Sequence, residues 1–201
     1  MINGKGRIEF INKTAKSIVN DIFEWNEIEG EFVCFKCNIE SLEGFPRKIN
    51  SKDLGRGGVN VNQCRNLKTL KGAPSIVFGH FYCIGCDSLT SLEGAPEQIN
   101  GDFLCRNCDS LKSLKGAPKY LAGEFACAGC NKLESLEGAP NKLGGDFDCS
   151  NCKSLKSLKG LPSSIGGSLY LPKIDSLFDE IGKEIISQTS VKGNPCVVPI
   201  K

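Results

Sequence analysis

Over residues 101–118 the chain reads GDFLCRNCDSLKSLKGAP, and its apolar positions follow two rhythms in turn. Phe103 and Cys105 alternate with Asp102, Leu104 and Arg106, the period of a strand that turns one face inward. Leu111 and Leu114 then point back into the core before Gly116 and Pro118 break any continued strand or helix. The pattern predicts a short strand followed by an irregular return.

The pattern recurs. Cys83, Cys105, Cys127 and Cys149 are spaced by 22 residues, as are Cys64, Cys86, Cys108, Cys130 and Cys152. The unit is G-x-F-x-C-x-x-C-x-x-L-x-S-L-x-G-x-P-x-x-(I/L)-x, and self-similarity at this period is the signature of a solenoid. One copy cannot bury its apolar skeleton; stacked copies can, and their ends need caps. Strands are expected to begin near Glu31, Gly58, His80, Asp102, Glu124, Asp146 and Ser168, adjacent ones about 4.7–4.9 Å apart in a parallel sheet. Cys37 to Cys64 spans 27 residues, so a loop is expected to bulge within "NSKDLGRGG", either as a tolerated insertion or as a contact loop.

Two segments suggest caps. "TAKSIVNDIFEW" places Ala15, Ile18, Val19, Ile22 and Trp25 at helical spacing, and "KIDSLFDEIGKEII" does so with Ile174, Leu177, Phe178, Ile181 and Ile185. The expected organisation is a helical cap over 1–29, a solenoid over 30–172, and a helical cap and tail over 173–201.

The string L-x-S-L-x-G-x-P-x-x-I-x-G-x-F-x-C-x-x-C-x-x-L resembles a leucine-rich repeat, closest to the bacterial BspA or Treponema-type class. It is also similar to the "SLEGAP" repeats of bacteriophage and giant-virus proteins. The resemblance covers roughly residues 30–172. It implies an α/β solenoid of about seven repeats, curved, with a strand-lined concave surface serving recognition rather than one chemistry. It also implies that the second cysteine of each copy, at a position commonly Asn or Cys, points inward beneath the turn.

Composition narrows the function classes. The 25 Lys and Arg nearly balance the 23 Asp and Glu, so no general field for nucleic acid is expected. No apolar run approaches a membrane span or a signal peptide, so the expectation is a soluble cytoplasmic protein, in the host cytoplasm if the source is viral. The 12 cysteines then suggest metal or reduced thiols before disulfides.

Repeated C-x-x-C pairs raise zinc as a candidate, but Val61 and Leu171 stand where other copies have their first cysteine. A packed core accepts a plain hydrophobe there and a metal site does not. A reduced, buried ladder is favoured; metal shared between copies and disulfides stay open. Cys196, outside the array, reads as an incidental or capping thiol.

Catalytic signals are weak. The single histidine, His80, is on the outward side of its strand while Cys83 is inward, and "GRGG" at 55–58 lacks the Lys-Ser or Lys-Thr of a phosphate loop. No enzyme activity and no cofactor are implied.

The charges that remain sort by face. On the returns, Glu40 and Glu43, Lys68 and Lys71, Glu93, Lys112 and Lys115, Glu134 and Glu137, and Lys156 and Lys159 alternate in sign, which predicts pairing between stacked copies. On the outward strand face, Asp102, Glu124 and Asp146 form a like-charged column with Asp148 beside it. Val33, Phe35, Tyr82, Ile84 and Leu104 form an apolar patch there, with His80 and Arg106 at its margin. The face is either an ordinary solvated mixture or a surface for a partner protein of unknown identity, the chain being otherwise a monomer. The alternative function is a cysteine-rich metal-binding or redox-responsive repeat protein.

Overall fold

The computed structural model describes residues 2–14, 25–50 and 57–198. It is a parallel β-solenoid of about eight turns at the 22-residue spacing. Two strands, β1 (Ile2–Ile11) and β2 (Trp25–Phe35), open it. From β2 two ribbons diverge. Ribbon one stacks β3 (Lys48–Asn50), β5 (Ile76–Val77), β7 (Gln98–Ile99), β9 (Tyr120–Leu121), β11 (Lys142–Leu143), β13 (Ser164–Ile165) and β15 (Ser190–Val191). Ribbon two stacks β4 (Gly58–Asn60), β6 (His80–Tyr82), β8 (Phe103–Leu104), β10 (Phe125–Ala126), β12 (Phe147–Asp148), β14 (Leu169–Pro172) and β16 (Pro195–Val198). The seven strands expected from the repeat all lie on β2 and ribbon two. The repeat pattern predicts an irregular return where ribbon one lies, although the (I/L) that closes each copy is its inward residue.

Registers join equivalent residues of successive coils. Phe81, Phe103, Phe125 and Phe147 pair in turn, and their rings stack with centroids 5.5 Å apart. Because strands are only about 4.8 Å apart, this spacing is that of slightly offset rings, the arrangement favoured by their quadrupoles. On ribbon one Ile49, Val77, Ile99, Leu121, Leu143 and Ile165 form the facing column. The leucine pairs of the returns complete a core whose members are almost wholly excluded from solvent.

Two corners shape each coil. The residue before the second cysteine has positive φ in Lys36, Gln63, Asn107 and Asn151, and Gly85 and Gly129 hold the same place. One left-handed residue bends the chain, so both cysteines of C-x-x-C point inward from either side of the bend. At the second corner Gly116 has φ +90°, and an added Cβ would lie 2.6 Å from the backbone of Glu93 in the preceding coil. Both conformation and proximity therefore require glycine.

The ends correct the expected architecture. Among the described residues little is helical, so an α/β class is not supported, and the C-terminal segment is not the closing helical cap expected. Residues 15–24 of the expected first cap lie outside the described residues, and Trp25 belongs to β2. Residues 2–11 form a strand in which Ile8 pairs with Phe32 and Phe10 with Cys34. The segment Gly6-Arg7-Ile8-Glu9-Phe10-Ile11-Asn12 thus follows the G-x-F-x-C-x-x frame with hydrophobes in the two inward slots. At the other end α1 (Glu180–Ser187) is preceded by a 3-10 turn at Asp175–Phe178, and Leu177, Ile185 and Ile186 pack against the core. This helix is an excursion, not a terminus. The chain returns through β15 and β16, which pair with β13 and β14 and carry the solenoid one coil further. Cys196 is in β16, in register with Tyr170. Of the expected loop, residues 51–56 lie outside the described residues.

Candidate functional site

The interior cysteines have a structural task. Cys64 Sγ donates to the carbonyl oxygen of Cys34 at 3.1 Å, Cys86 to Val61 at 3.2 Å, Cys108 to Cys83 at 3.1 Å, Cys130 to Cys105 at 3.2 Å and Cys152 to Cys127 at 3.2 Å. Each acceptor carbonyl lies just before the left-handed bend, where the parallel ladder is interrupted. The second cysteine supplies a donor where the ladder gives none or, at Val61 and Cys127, only a long N–H contact of 3.4 and 3.3 Å from Cys64 and Cys130, and a buried carbonyl without a donor is costly. The Cys149 thiol is pushed well above its ordinary value by burial, and contact with Cys108 followed by burial does the same for Cys83 and Cys86. Cys127, against Cys152, and Cys130, against Cys105 and Cys108, are raised as well. The eleven cysteines from Cys34 to Cys152 are free and buried, and among the described residues no three His, Cys, Asp or Glu side chains converge as a metal site.

The outward face of ribbon two carries the residues singled out in the sequence, three columns wide. His80, Asp102, Glu124, Asp146 and Ser168 make the first column; Tyr82, Leu104, Ala126, Asp148 and Tyr170 the second; Ile84, Arg106 and Ala128 belong to the third. Tyr82, Ile84 and Leu104 are half-buried neighbours in adjacent coils; Phe35, also half-buried, is separated from them by Asn60 and Asn62. Val33 does not belong to an exposed patch: it is only 1% exposed. Its strand has β1 on one side and β4 on the other, whereas the sequence reading placed no coil beyond it. Ile11, in register with Phe35 and 49% exposed, extends the apolar shelf instead. The cap expected over 1–29 hides this residue from the sequence pattern.

The acidic column is not idle in the fold. Asp102 Oδ1 accepts the Glu124 amide N–H at 2.8 Å, and Asp146 Oδ1 accepts that of Ser168 at 2.6 Å. His80 Nδ1 accepts the Asp102 amide at 2.9 Å. These side chains cap the N–H groups at the starts of the following strands, next to glycines that leave them room: a Cβ on Gly123 or Gly167 would fall 2.2 Å or 2.0 Å from Asp102 or Asp146 Oδ1. The like-charge column therefore has a compensation in hydrogen bonding.

Arg106 follows Ile84 in the third column and does more than border the apolar shelf. Its guanidinium pairs with Glu124 and reaches Asp148 Oδ2 at 3.6 Å, while Ala126 between them is fully buried. Even so, burial outweighs Arg106 and raises the Glu124 carboxyl above its ordinary value. Burial, followed by the charges of Asp102 and Glu124, pushes the Tyr82 hydroxyl up to about 12. The phenol is neutral at physiological pH and available as a hydrogen-bonding anchor.

The return face behaves differently. Lys68 pairs with Glu40 at 2.9 Å, Lys115 with Glu93 at 3.1 Å, Lys156 with Glu134 at 3.0 Å and Lys159 with Glu137 at 2.6 Å. These four pairs join neighbouring coils as the alternation predicts, whereas no ion pair among the described residues engages Glu43, Lys71 or Lys112. No family model, curated protein or solved structure matches the chain.

Proposed function

We propose that the chain is a non-enzymatic scaffold that binds a partner protein across the outward face of ribbon two. One observation carries the reading: the repeat is faithful to itself inside the solenoid and departs from itself on this face. Phe and Cys recur inward coil after coil, whereas the second outward column runs Tyr82, Leu104, Ala126, Asp148 and Tyr170. On the return face variation is explained by ion pairs between coils. On ribbon two the apolar shelf of Phe35, Tyr82, Ile84 and Leu104 has no such internal reason, and shelves of this kind beside charge suit protein contacts. Aromatic anchors supply contact area, and the carboxylates orient an incoming cationic surface. Kinship with leucine-rich repeats, and a viral protein acting on a host factor or defence protein in the cytoplasm, belong to the same proposal.

The test is site-specific photocrosslinking in native extract. A photoreactive residue at Leu104 is expected to trap one protein, while the same group at Lys112 on the return face traps none. Tyr82→Ala is expected to accelerate dissociation of the recovered complex, and Asp102→Asn with Asp146→Asn to slow association. Binding that survives all of these and is lost only by changes in the 51–56 segment would move the site elsewhere.

A further inference from the structure

The translation that builds the solenoid provides an internal comparison for the acidic end of ribbon two. Arg106 projects from one coil and pairs with Glu124 in the next and with Asp148 in the coil after that, across the buried Ala126. Moving every member of this set forward by one repeat puts Ala128 where Arg106 stands, Asp146 for Glu124, Asp148 for Ala126 and Tyr170 for Asp148. The second slot has Asp146 on one side, Tyr170 on the other and Asp148 beneath; Asp148 is reached by Arg106 at 3.6 Å and accepts the Ser150 amide, but no guanidinium extends from position 128 to Asp146. Asp146 Oδ1 is engaged by the Ser168 amide, and no cation among the described residues pairs with Asp146. Asp146, Ala128 and Tyr170 are all partly exposed.

We propose that this slot receives an arginine side chain of the partner protein, its guanidinium placed between Asp146 and Tyr170 much as Arg106 lies between Glu124 and Asp148. The inference rests on the partner-binding reading of ribbon two and names the chemistry of that partner at one point. Charge complementarity selects a cation. The planar fork of a guanidinium, which can donate to a carboxylate while stacking on a phenol ring, selects arginine over lysine. Alanine at 128 supplies the room, since it stops at Cβ where Arg106 extends over the next coil. The apolar shelf toward Phe35 and this slot lie at opposite ends of one face, so an extended or loop segment engaging both has a fixed direction along the solenoid.

The experiment titrates Nα-acetyl-arginine amide into the full chain and follows backbone amide shifts by NMR. Saturable shifts are expected at Ala128, Asp146, Asp148 and Tyr170, with the citrulline and lysine analogues each roughly tenfold or more weaker. Asp146→Asn retains an oxygen for the Ser168 amide, so the fold should persist while arginine binding weakens by a similar factor. Ala128→Arg supplies the guanidinium from within and should abolish binding. Equal shifts with citrulline, equal affinity for lysine, or indifference to both variants would overturn the proposal. A protein that crosslinks through Leu104 while arginine leaves these amides unmoved removes the slot and leaves the docking face; saturable arginine binding without such a crosslink does the reverse.

Discussion

The two cysteine columns differ only in which side of a bend they occupy, yet they do different work. Cys105 and its equivalents are replaced in other coils by Phe10, Val61 and Leu171, and Cys196 stands one register position away from the last of these. Cys108 and its equivalents are cysteine in every copy from Cys37 to Cys152, and each thiol donates to a carbonyl of the preceding coil. The first slot asks for apolar volume; the second asks for volume and a donor. A residue's neighbours across the stack, not its type, decide its role.

The comparison can be broken most severely by charge. The thiols of Cys83, Cys86, Cys127, Cys130 and Cys149 are raised above the ordinary 9.0 in the fold, outnumbering Cys108, whose contacts with Cys130, Cys83 and Cys86 lower it. A raised group holds its proton in the folded chain after the unfolded chain has lost it, so its contribution is complete below about pH 9 and declines as pH rises further. Melting temperature should therefore be flat from pH 7 to 8.5 and fall steeply toward pH 11. Replacing Cys83, Cys127 and Cys149 together by Val should flatten that fall.

Next in size is the ring stack beside both columns. Phe103→Ala removes a fully buried ring from between Phe81 and Phe125 and should cost about 3–5 kcal/mol in denaturant unfolding. Cys108→Ala should cost about 1–3 kcal/mol, because the Cys83 carbonyl loses its donor. Cys108→Ser, which keeps a donor, should recover part of that loss; equal costs for Ala and Ser would make the second column as purely apolar as the first. Cys105→Val should cost less than about 1.5 kcal/mol, as a volume change in a slot already filled by Val in another coil. The smallest effect is expected at the surface: Lys156→Ala breaks an exposed pair with Glu134 and should shift stability by about 0.2–1 kcal/mol, diminishing with salt.

The period of Phe103, Cys105, Cys108, Leu111 and Leu114 made the solenoid, its strand starts and its buried columns legible, because a 22-residue repeat leaves each copy only its neighbour to cover it. The alternating Glu and Lys likewise fixed the pairing of the returns. Ribbon one escaped notice because two-residue strands such as Tyr120–Leu121 show no alternation of their own and exist only through hydrogen bonds to adjacent coils. The end coils escaped because Ile8 and Phe10 carry the inward pattern without cysteine, and because α1 interrupts the final coil. On the candidate site, sequence determined which residues face outward, since strand alternation is local. Only the tertiary structure decided that Val33, between β1 and β4, is buried, that Asp102 and Asp146 cap amides of the next coil, and that Arg106 spans two carboxylates; the last two depend on contacts between residues about one or two repeats apart, which no local pattern records.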